Sequence, residues 1–428
     1  MRILVWGMGY VGTVSAACLA QMGHEVIGVE PNPVKVRAIN DGYSPILEPG
    51  LEDLVKAAVS QKKLRATTEG SSLVTWADVS MICVGTPSSP DGGLVLTYIK
   101  QVLADIGRGL LEANSYHAIV LRSTVFSQVS RHLLCPLLEK YSGKLSGVDF
   151  GFAINPEFLR EGSAIADFYA PPYIVVGELD TRSGDVVKAL YNNIKADFYR
   201  VTLEEAELLK VVNNAFHALK TGFANEIGRL CSSLCLDSHT IMQMVCADTK
   251  LNISPAYLRP GFAFGGSCLP KDLRSLTFNA RRLGLALPIL EAILPSNQLQ
   301  IEATRIKVHE FGARCVGILG LSFKFGTDDL RESPAIALIR ALWQDGLDVL
   351  VYDPQVQIDR MLGSNQEYLE RQLPNINQIL CEDSRDLLNK CQTVVVCQNN
   401  PEFLTILQAI VENNLDVAVL DLVRLNPE

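Results

Sequence analysis

Short runs of apolar residues alternate with longer amphipathic stretches over the first two hundred residues of the chain. Five runs are typical of buried strands, at residues 3–6, 26–29, 79–84, 118–122 and 173–177. Helical patterns lie between several of these runs. Alternation of this kind predicts a mainly parallel sheet that is covered by helices on both faces.

One long amphipathic pattern without proline follows at residues 203–236, and its length predicts a helix that connects two domains. Helical patterns continue to about residue 300, with a Gly/Pro-rich interruption at 254–270. From residue 314 the alternation of strand and helix returns to the end of the chain. We therefore expect an α/β protein with two Rossmann-like, doubly wound parallel-sheet domains, joined by a long central helix and a small helical domain. The expected boundaries are 1–202, 203–300 and 301–428.

Three glycines, Gly7, Gly9 and Gly12, stand between the first predicted strand and a predicted helix, and the second strand ends at Glu30. Such glycines allow a tight turn and a close approach of the backbone to a pyrophosphate, and the carboxylate can accept from ribose hydroxyls. The alternative is a tight turn without a ligand. However, the strand, the glycine turn, the helix, the second strand and its acidic end all occur in order within thirty residues. The order predicts dinucleotide binding. Glu30 favours NAD over NADP, because a 2′-phosphate would meet like charge, although Lys35 weakens this preference.

A polar stripe follows one face of the predicted long helix. Its members recur at i, i+4, i+7, i+11 and i+15 and are Lys210, Asn214, His217, Thr221 and Asn225. A solvated face is the alternative, but such a face would be expected to carry several acids and lysines. At ~1.5 Å per residue the stripe is roughly 22 Å long, enough to follow an extended ligand.

Cys268 lies in the sequence FAFGGSCLPKDL, just before an amphipathic stretch at 270–283. A helix N-terminus and the nearby Lys271 both favour the thiolate over the thiol. Six other cysteines lie in apolar periodic runs and are expected to be buried: Cys18, Cys83, Cys231, Cys235, Cys315 and Cys397. The position of Cys268 instead predicts a reactive thiol.

Two further loops carry candidate ligand contacts. Residues 155–162, NPEFLREG, hold two carboxylates and an arginine, which fit either a capping arrangement or the wall of a site. In the last domain several charged residues follow the first strand, where a parallel sheet places ligand contacts. These residues are Lys324, Asp328, Asp329 and Arg331.

Charge and composition exclude several classes of protein. The formal net charge of -9 disfavours nucleic acid as a partner. No stretch of about 20 uninterrupted apolar residues predicts a membrane span, and the N-terminus enters a strand directly, so we expect a cytoplasmic protein with no membrane partner. The eleven cysteines show neither a paired CxxC nor a Cys/His spacing, which predicts reduced thiols and no metal site.

Several segments, taken together and in this order, resemble the nucleotide-sugar 6-dehydrogenase family, which includes the UDP-glucose and GDP-mannose 6-dehydrogenases. The segments are GMGYVG, SPILEPGLE, ICVGTP, RSTV, NPEFLREG, the helical stripe, FAFGGSCLPKDL and LSFKFGTDDLRESP. The last two are more similar to the GDP-mannose branch, and UDP-glucose is the alternative substrate. The resemblance implies NAD-dependent oxidation of a primary alcohol to a carboxylate in two hydride transfers, for a uronate polysaccharide of the alginate kind. It also implies a homodimer around the long central helix, with larger assemblies in some members.

The resemblance also implies a role for individual residues. Cys268 would trap the aldehyde as a thiohemiacetal and then carry the thioester. Lys210 and Asn214 would stabilise the oxyanion. Asp272 and Thr124 would position water, and Glu161 would be the base for thioester hydrolysis.

Besides the glycine turn, the positions matched to NAD are Tyr10, Val11, Glu30, Lys35, Thr86, Thr124, Lys271 and Arg331. Those matched to the sugar nucleotide are Glu161, Lys210, Asn214, His217, Asn225, Tyr257, Arg259, Phe262, Gly265 and Lys324.

Two departures from the family and two rival functions stay open. Residues 126–128 replace a common proline–glycine turn, and Ala256 stands where the GDP-mannose branch has a tyrosine. A two-electron hydroxyacid dehydrogenase would also join a Rossmann domain to a long helix, but it needs neither Cys268 nor a second sheet domain. A non-catalytic nucleotide-sugar sensor is the other alternative, although every reacting position is present.

Overall fold

The chain divides into two compact units, Met1–Ala218 and Leu219–Glu428. The computed structural model describes residues 1–87, 89–90, 93–254, 257, 261–266, 268–327, 329–356, 358 and 363–425.

An eight-stranded sheet forms the centre of the first unit. Its strands are β1 Arg2–Trp6, β2 Glu25–Val29, β3 Leu64–Thr67, β4 Val79–Ile82, β5 Ala118–Leu121, β6 Gly151–Ile154, β7 Tyr173–Glu178 and β8 Asp197–Val201. They lie in the order β3-β2-β1-β4-β5-β6-β7-β8, and β6 with β7 is the antiparallel pair among otherwise parallel neighbours. The first six strands have the order of a Rossmann dinucleotide-binding fold. The predicted parallel sheet is confirmed.

Helices cover both faces of this sheet. They are α1 Tyr10–Gln21, α2 Pro33–Asn40, α3 Leu51–Ser60, α4 Thr97–Leu111, α5 Cys135–Ser142, α6 Ala164–Tyr169 and α7 Thr181–Leu190. In β1, Ile3 and Val5 belong to the core on one face, and Leu4 and Trp6 to the core on the other. Burial on both faces explains why this strand has a continuous apolar run instead of an alternating one.

Three strands of the first unit, β3, β6 and β8, lie outside the five predicted runs, and the composition or exposure of β3 and β8 explains why the apolar pattern missed them. Strand β3 contributes only Leu64 and Ala66 to the core, and its other residues are polar. Strand β8 is one of the two edge strands, and all five of its residues are at least partly exposed. An edge strand needs no apolar run, because one side of it faces solvent.

The long connecting helix is confirmed as α8, Leu203–Ser233, which has 31 residues. It ends three residues before the predicted end, and Cys235 follows with a left-handed backbone, φ 55°. The prediction that Cys235 is buried was wrong, because this turn exposes its side chain. Cys18, Cys83 and Cys231 are buried as predicted, whereas Cys315 and Cys397 are partly exposed.

The second unit combines a helical part with a parallel sheet. Its sheet has the order β10-β9-β11-β12, built from β9 Cys315–Leu319, β10 Asp348–Tyr352, β11 Thr393–Val396 and β12 Ala418–Asp421. Its other helices are α9 Ser238–Ala247, α10 Leu269–Arg282, α11 Pro288–Glu310, α12 Pro334–Gln344, α13 Gly363–Gln372, α14 Ile376–Ile379, α15 Ser384–Lys390 and α16 Pro401–Glu412. Separate apolar clusters pack on the two faces of the sheet. The second predicted parallel-sheet domain is thereby confirmed.

A small third cluster holds the helical part of this unit together. Ala280 of α10, with Leu287 and Leu290 at the start of α11, packs against Phe223 and Ile227 of α8. Among the residues that the structure describes, no helix combines the length and apolar character that crossing a membrane requires.

Candidate active site

The glycine turn after β1 has the geometry that the sequence predicts. Gly7 has φ +93°, and a Cβ there would lie 2.9 Å from Cγ1 of Val84. A Cβ on Gly12 would lie 1.9 Å from the carbonyl oxygen of Gly7, so the turn and α1 can approach only without side chains. A Cβ on Gly9 would meet nothing within 4 Å. The open side of the turn is therefore at Gly9, the N-cap of α1, where Tyr10 and Val11 begin the helix.

Glu30 stands directly after β2 and is 7% exposed. Its Oε2 accepts from the backbone N–H of Met8 at 3.0 Å, and its Oε1 accepts from that of Asn32 at 3.2 Å. The Lys35 ammonium lies 3.9 Å from Oε2. The carboxylate is thus held beside the glycine turn, and each of its oxygens retains capacity for a ribose hydroxyl.

Thr86 and Thr124 lie at the same edge of the sheet, beyond the ends of β4 and β5. The Thr86 hydroxyl donates to the backbone carbonyl of Thr124 at 2.9 Å. Strands β1 and β4 are neighbours at the point where the strand order reverses. Open α/β sheets bind ligands at such a switch point, outside the carboxyl ends of the strands.

The unusual segment at 126–128 is attached to α8. The backbone N–H groups of Gln128 and Ser130 donate to the two carboxylate oxygens of Glu207, at 2.7 and 2.8 Å. Burial raises the pKa of Glu207, which is 2% exposed. Gln128 adopts φ 76°, a conformation that favours glycine. The two bonds to Glu207 hold this segment against α8.

Glu48 is a buried residue for which the sequence suggested no role. Its Oε2 accepts from the Tyr10 hydroxyl at 2.5 Å and from the Gly162 N–H at 2.7 Å, and its Oε1 accepts from the Ala164 N–H at 2.8 Å. These bonds, led by the one from Tyr10, lower the pKa of Glu48. Burial and Glu48 together raise the pKa of Tyr10. Glu48 thus joins the first turn of α1 to the loop at 155–162.

Lys210 pairs with Glu157, which the sequence also did not single out. The Lys210 ammonium lies 2.9 Å from Oε1 of Glu157 and 5.4 Å from the centre of the Phe158 ring. The Lys210 and Glu157 side chains are only 12% and 14% exposed. Glu161, four residues further along the same loop, is exposed. The carboxylate that the structure brings to Lys210 is therefore that of Glu157, and its position in NPEFLREG was the available signal.

The rest of the polar stripe is open to solvent in the single chain. Asn214, His217, Thr221 and Asn225 are all exposed. Apolar side chains on the same part of α8 are exposed as well. The middle of this helix is therefore accessible both to a ligand and to another protein surface.

In the second unit, Cys268 is the N-cap of α10, and its thiol is exposed. Its backbone carbonyl accepts from the N–H of Asp272 at 2.8 Å, which closes the first helical turn. Lys271 lies in this turn and pairs with Asp272 at 3.1 Å, with both side chains about two-thirds exposed. The predicted helix start beside the cysteine is confirmed.

The glycine pair before Cys268 packs against the loop that follows β9. A Cβ on Gly265 would lie 2.3 Å from the carbonyl oxygen of Glu332, and one on Gly266 would lie 2.9 Å from the ring of Phe323. Gly266 also has φ +90°. The sequence suggested that Gly265 leaves room for a ligand. In the structure, the close approach of the Glu332 carbonyl already requires a glycine at this position.

The remaining predicted residues of this unit lie around the same loop. Lys324 is exposed, with its ammonium 5.6 Å from the centre of the Phe323 ring. Arg331 makes a two-bond contact with Asp329, at 2.9 and 2.7 Å. Phe262 is half-buried and Tyr257 is exposed. Arg259, Ala256 and Asp328 lie outside the described residues.

Family models match most of the chain. Residues 1–195 match the NAD binding domain of the UDP-glucose/GDP-mannose dehydrogenase family, residues 204–299 match its central domain, and residues 317–425 match its UDP binding domain. The chain belongs to the UDP-glucose/GDP-mannose dehydrogenase family. As a member of this family it is an NAD-dependent dehydrogenase, and the glycine turn with Glu30 lies within the matched NAD binding domain.

Relatives in the UDP-glucose/GDP-mannose dehydrogenase family cover nearly the full length. A GDP-mannose 6-dehydrogenase from Pseudomonas putida is 45% identical over 94% of this chain and 92% of its own. A GDP-mannose 6-dehydrogenase from Azotobacter vinelandii is 40% identical, and the match covers 100% of this chain and 98% of the relative. A UDP-glucose 6-dehydrogenase from Haloferax volcanii is 34% identical, and the match covers 94% of this chain and 92% of the relative.

Solved structures of GDP-mannose and UDP-glucose dehydrogenases are also similar to this chain. A ternary complex of GDP-mannose dehydrogenase from Pseudomonas aeruginosa has a TM-score of 0.96 and 42% identity, covering 100% of this chain and 98% of its own. A UDP-glucose dehydrogenase from Pyrobaculum islandicum has a TM-score of 0.57 and 33% identity, covering 98% and 94%.

Replacing Glu48 by Gln should lower the thermal stability at neutral pH, because an amide has one acceptor oxygen for three donors. The folded-state pKa of Glu48 is depressed, so its contribution is present above the ordinary Glu pKa of about 4.3 and is lost as pH falls through the folded value. The difference in Tm between wild type and Glu48→Gln should therefore narrow below about pH 4. Exposed Glu69→Gln is the control. A difference in Tm that is constant from pH 7 to pH 3 would contradict the role given to the Glu48 carboxylate.

Replacing Glu30 by Gln should weaken NAD binding about tenfold, because a charged acceptor for the ribose is lost. NADP binding should weaken less or improve, since the carboxylate no longer repels the 2′-phosphate. The measurement is the ratio of the two dissociation constants. The control is Glu25→Gln at the exposed start of β2, and an unchanged ratio in Glu30→Gln would rule out the placement of this carboxylate at the ribose.

Proposed function

We propose that this protein oxidises the C6 primary alcohol of GDP-mannose to the carboxylate of GDP-mannuronate and reduces two NAD for each sugar. The observation that carries the proposal is the exposed thiol of Cys268 at the N-terminus of α10, in a chain that also has an NAD binding domain. Relatives named GDP-mannose 6-dehydrogenase, at 40–45% identity, favour this substrate over UDP-glucose. A two-electron hydroxyacid dehydrogenase would need neither this thiol nor the second parallel sheet.

The proposed reaction has three stages. Bound NAD would supply the hydride acceptor for both oxidation steps. After C6 loses a hydride and its hydroxyl loses a proton, the Cys268 thiol adds across the aldehyde C=O, with sulfur on C6 and the proton on oxygen, and forms a thiohemiacetal. Loss of a second hydride and a proton converts this adduct to a thioester, and water then releases the uronate and the free thiol. Four electrons leave the sugar in total, and the covalent adduct keeps the aldehyde from escaping.

We assign the supporting roles to polar groups of α8, α10 and the loops after the strands. The Lys210 ammonium and the Asn214 amide would stabilise the negative charge that develops on the sugar oxygen. The ion pair with Glu157, at 2.9 Å, holds the Lys210 ammonium in a fixed position on α8. Asp272 and Thr124 would position water, and Glu161 would accept its proton during thioester hydrolysis.

We assign ligand binding in the same way. NAD would lie over the open side of the glycine turn, with Tyr10 and Val11 at its pyrophosphate, and with contacts from Glu30, Lys35, Thr86, Thr124, Lys271 and Arg331. The sugar nucleotide would follow the polar stripe of α8. Its contacts would be Glu161, Lys210, Asn214, His217, Asn225, Tyr257, Arg259, Phe262, Gly265 and Lys324.

We further propose a cytoplasmic homodimer with domains at 1–202, 203–300 and 301–428. Support for the dimer comes from α8, where Val212, Phe216 and Leu219 are 51%, 38% and 49% exposed. Apolar side chains along one helix leave a surface that association would remove from water. The match of three family domains to residues 1–195, 204–299 and 317–425 supports the division.

The test of the activity is the yield of NADH from limiting GDP-mannose, with UDP-glucose in parallel. We expect two NADH for each GDP-mannose, because the covalent route carries the aldehyde to the acid without release. Cys268→Ser should abolish this yield, whereas Cys246→Ser, at another exposed cysteine, should leave it unchanged. One NADH per sugar would contradict the thioester route, two only from UDP-glucose would contradict the substrate, and none from either would favour the sensor.

The test of the dimer is sedimentation of the full chain at micromolar concentration. Val212→Asp should shift the protein from dimer to monomer, because it places a charge on the proposed contact surface. Val148→Asp makes the same change at a 70% exposed valine outside α8 and should leave the dimer intact. A wild-type monomer, or a dimer that is unaffected by Val212→Asp, would refute this interface.

A further inference from the structure

Glu332 contacts the segments on both sides of the cysteine. Its two carboxylate oxygens accept from the guanidinium of Arg274, one of the bonds being 3.0 Å from Nη1 to Oε2 and the other running from Nη2 to Oε1. Arg274 lies on α10, six residues after Cys268. A contact of this kind fixes direction as well as distance, since the planar guanidinium meets the planar carboxylate at two points.

The backbone of Glu332 meets the segment before the cysteine. A Cβ on Gly265 would lie only 2.3 Å from the carbonyl oxygen of Glu332 and 2.7 Å from Cδ of Pro334. A side chain on Gly265 would therefore push the two segments apart. Glu332 thus contacts the glycine pair with its backbone and the cysteine's own helix with its side chain.

The backbone conformation of Glu332 is unusual for its residue type. Its φ is +54°, in the left-handed region that glycine and asparagine tolerate best. A glycine here would remove the steric conflict, but it would also remove the carboxylate that binds Arg274. The side chain therefore has a use that compensates for the strained backbone.

Two more contacts hold the glycine pair in place. The Phe323 ring packs on Gly266, where a Cβ would be 2.9 Å from it. Asn297 of α11 accepts from the Phe264 N–H at 2.9 Å and donates to the Phe264 carbonyl at 2.8 Å. The backbone before Cys268 is consequently held between α11 and the loop that follows β9.

We propose that Glu332 is a positioning residue that couples the binding of a nucleoside diphosphate at the Lys324 loop to the placement of the Cys268 thiol. The inference rests on the proposed function, in which Lys324 contacts the sugar nucleotide and Cys268 reacts. Lys324 and Glu332 lie in the same connection between β9 and α12. A shift of this connection on binding is transmitted to Cys268 through the Arg274 bonds and through Gly265.

The exposure of the ion pair separates this role from simple stabilisation. The Arg274 and Glu332 side chains are 50% and 35% exposed, and pairs at such sites contribute little to stability. Loss of the pair should therefore leave Tm nearly unchanged. A small misplacement of a reacting group, in contrast, lowers its rate strongly, by up to about 100-fold for an error near 1 Å.

The first experiment is a double-mutant cycle with Glu332→Gln and Arg274→Gln. We expect each variant to lower kcat about tenfold or more with little change in KM, and the double variant to lose no more than either single one. Asp345→Asn is the matched control, because Asp345 pairs with Arg305 on α11 at 2.9 Å, away from the cysteine. A wild-type kcat in both single variants, or additive losses in the cycle, would overturn the inference.

The second experiment measures alkylation of Cys268 by iodoacetamide, followed by peptide mass analysis, with GDP or UDP as probe. These diphosphates lack the sugar that reacts, and alkylation requires no turnover. One of them should change the rate at least threefold in the wild type and leave it unchanged in Glu332→Gln. If Glu332→Gln folds poorly, Arg274→Gln serves in its place.

The outcomes distinguish the inference from the proposed function. An equal effect of the diphosphate in wild type and variant, or no effect on the wild type, overturns the coupling. A wild type that oxidises neither sugar nucleotide refutes the proposed function, whereas the alkylation rates still decide the coupling.

Discussion

Buried carboxylates that accept from backbone N–H groups hold the loops of this protein in place. Among the residues that the structure describes, five such carboxylates each accept from at least two main-chain donors and are less than a tenth exposed: Glu30, Glu48, Glu207, Glu226 and Asp353. A buried charge is costly unless hydrogen bonds compensate for its lost hydration. The donors lie in loops or in the first turns of helices, as with Ile289 and Leu290 at the start of α11, so moving such a segment would leave a buried charge unpaired. These hydrogen bonds therefore fix the segments that carry the donors.

Absent side chains provide the complementary constraint. Gly12 packs against the carbonyl of Gly7, and Gly265 packs against that of Glu332, at distances that no Cβ permits. The first contact brings the N-terminus of α1 close to the end of β1. The second brings the segment before Cys268 close to the loop that follows β9. In both units a backbone contact through glycine determines where a helix N-terminus lies, and a helix N-terminus favours an anion such as a phosphate or a thiolate.

Local features of the sequence predicted much of the fold and part of the candidate site. Features that depend only on residues close together in the chain can be recognised in the sequence. Examples are the glycine turn, the length of α8 and the place of Cys268 before α10. Strand β8 was missed because an edge strand needs no apolar run. Cys235 was assigned to the core because its neighbours are apolar, but a left-handed turn exposes it.

The sequence by itself determined the alternation of strands and helices, the dinucleotide turn and the place of Cys268 at the start of a helix. Only the tertiary structure decided which carboxylate each functional group meets. Glu48 accepts from Gly162, 114 residues away, Lys210 pairs with Glu157, and Arg274 binds Glu332 across 58 residues. The physical reason is that patterns of period two or 3.6 report the local backbone and its buried face, whereas a hydrogen bond between distant loops depends on how the sheets bring their ends together.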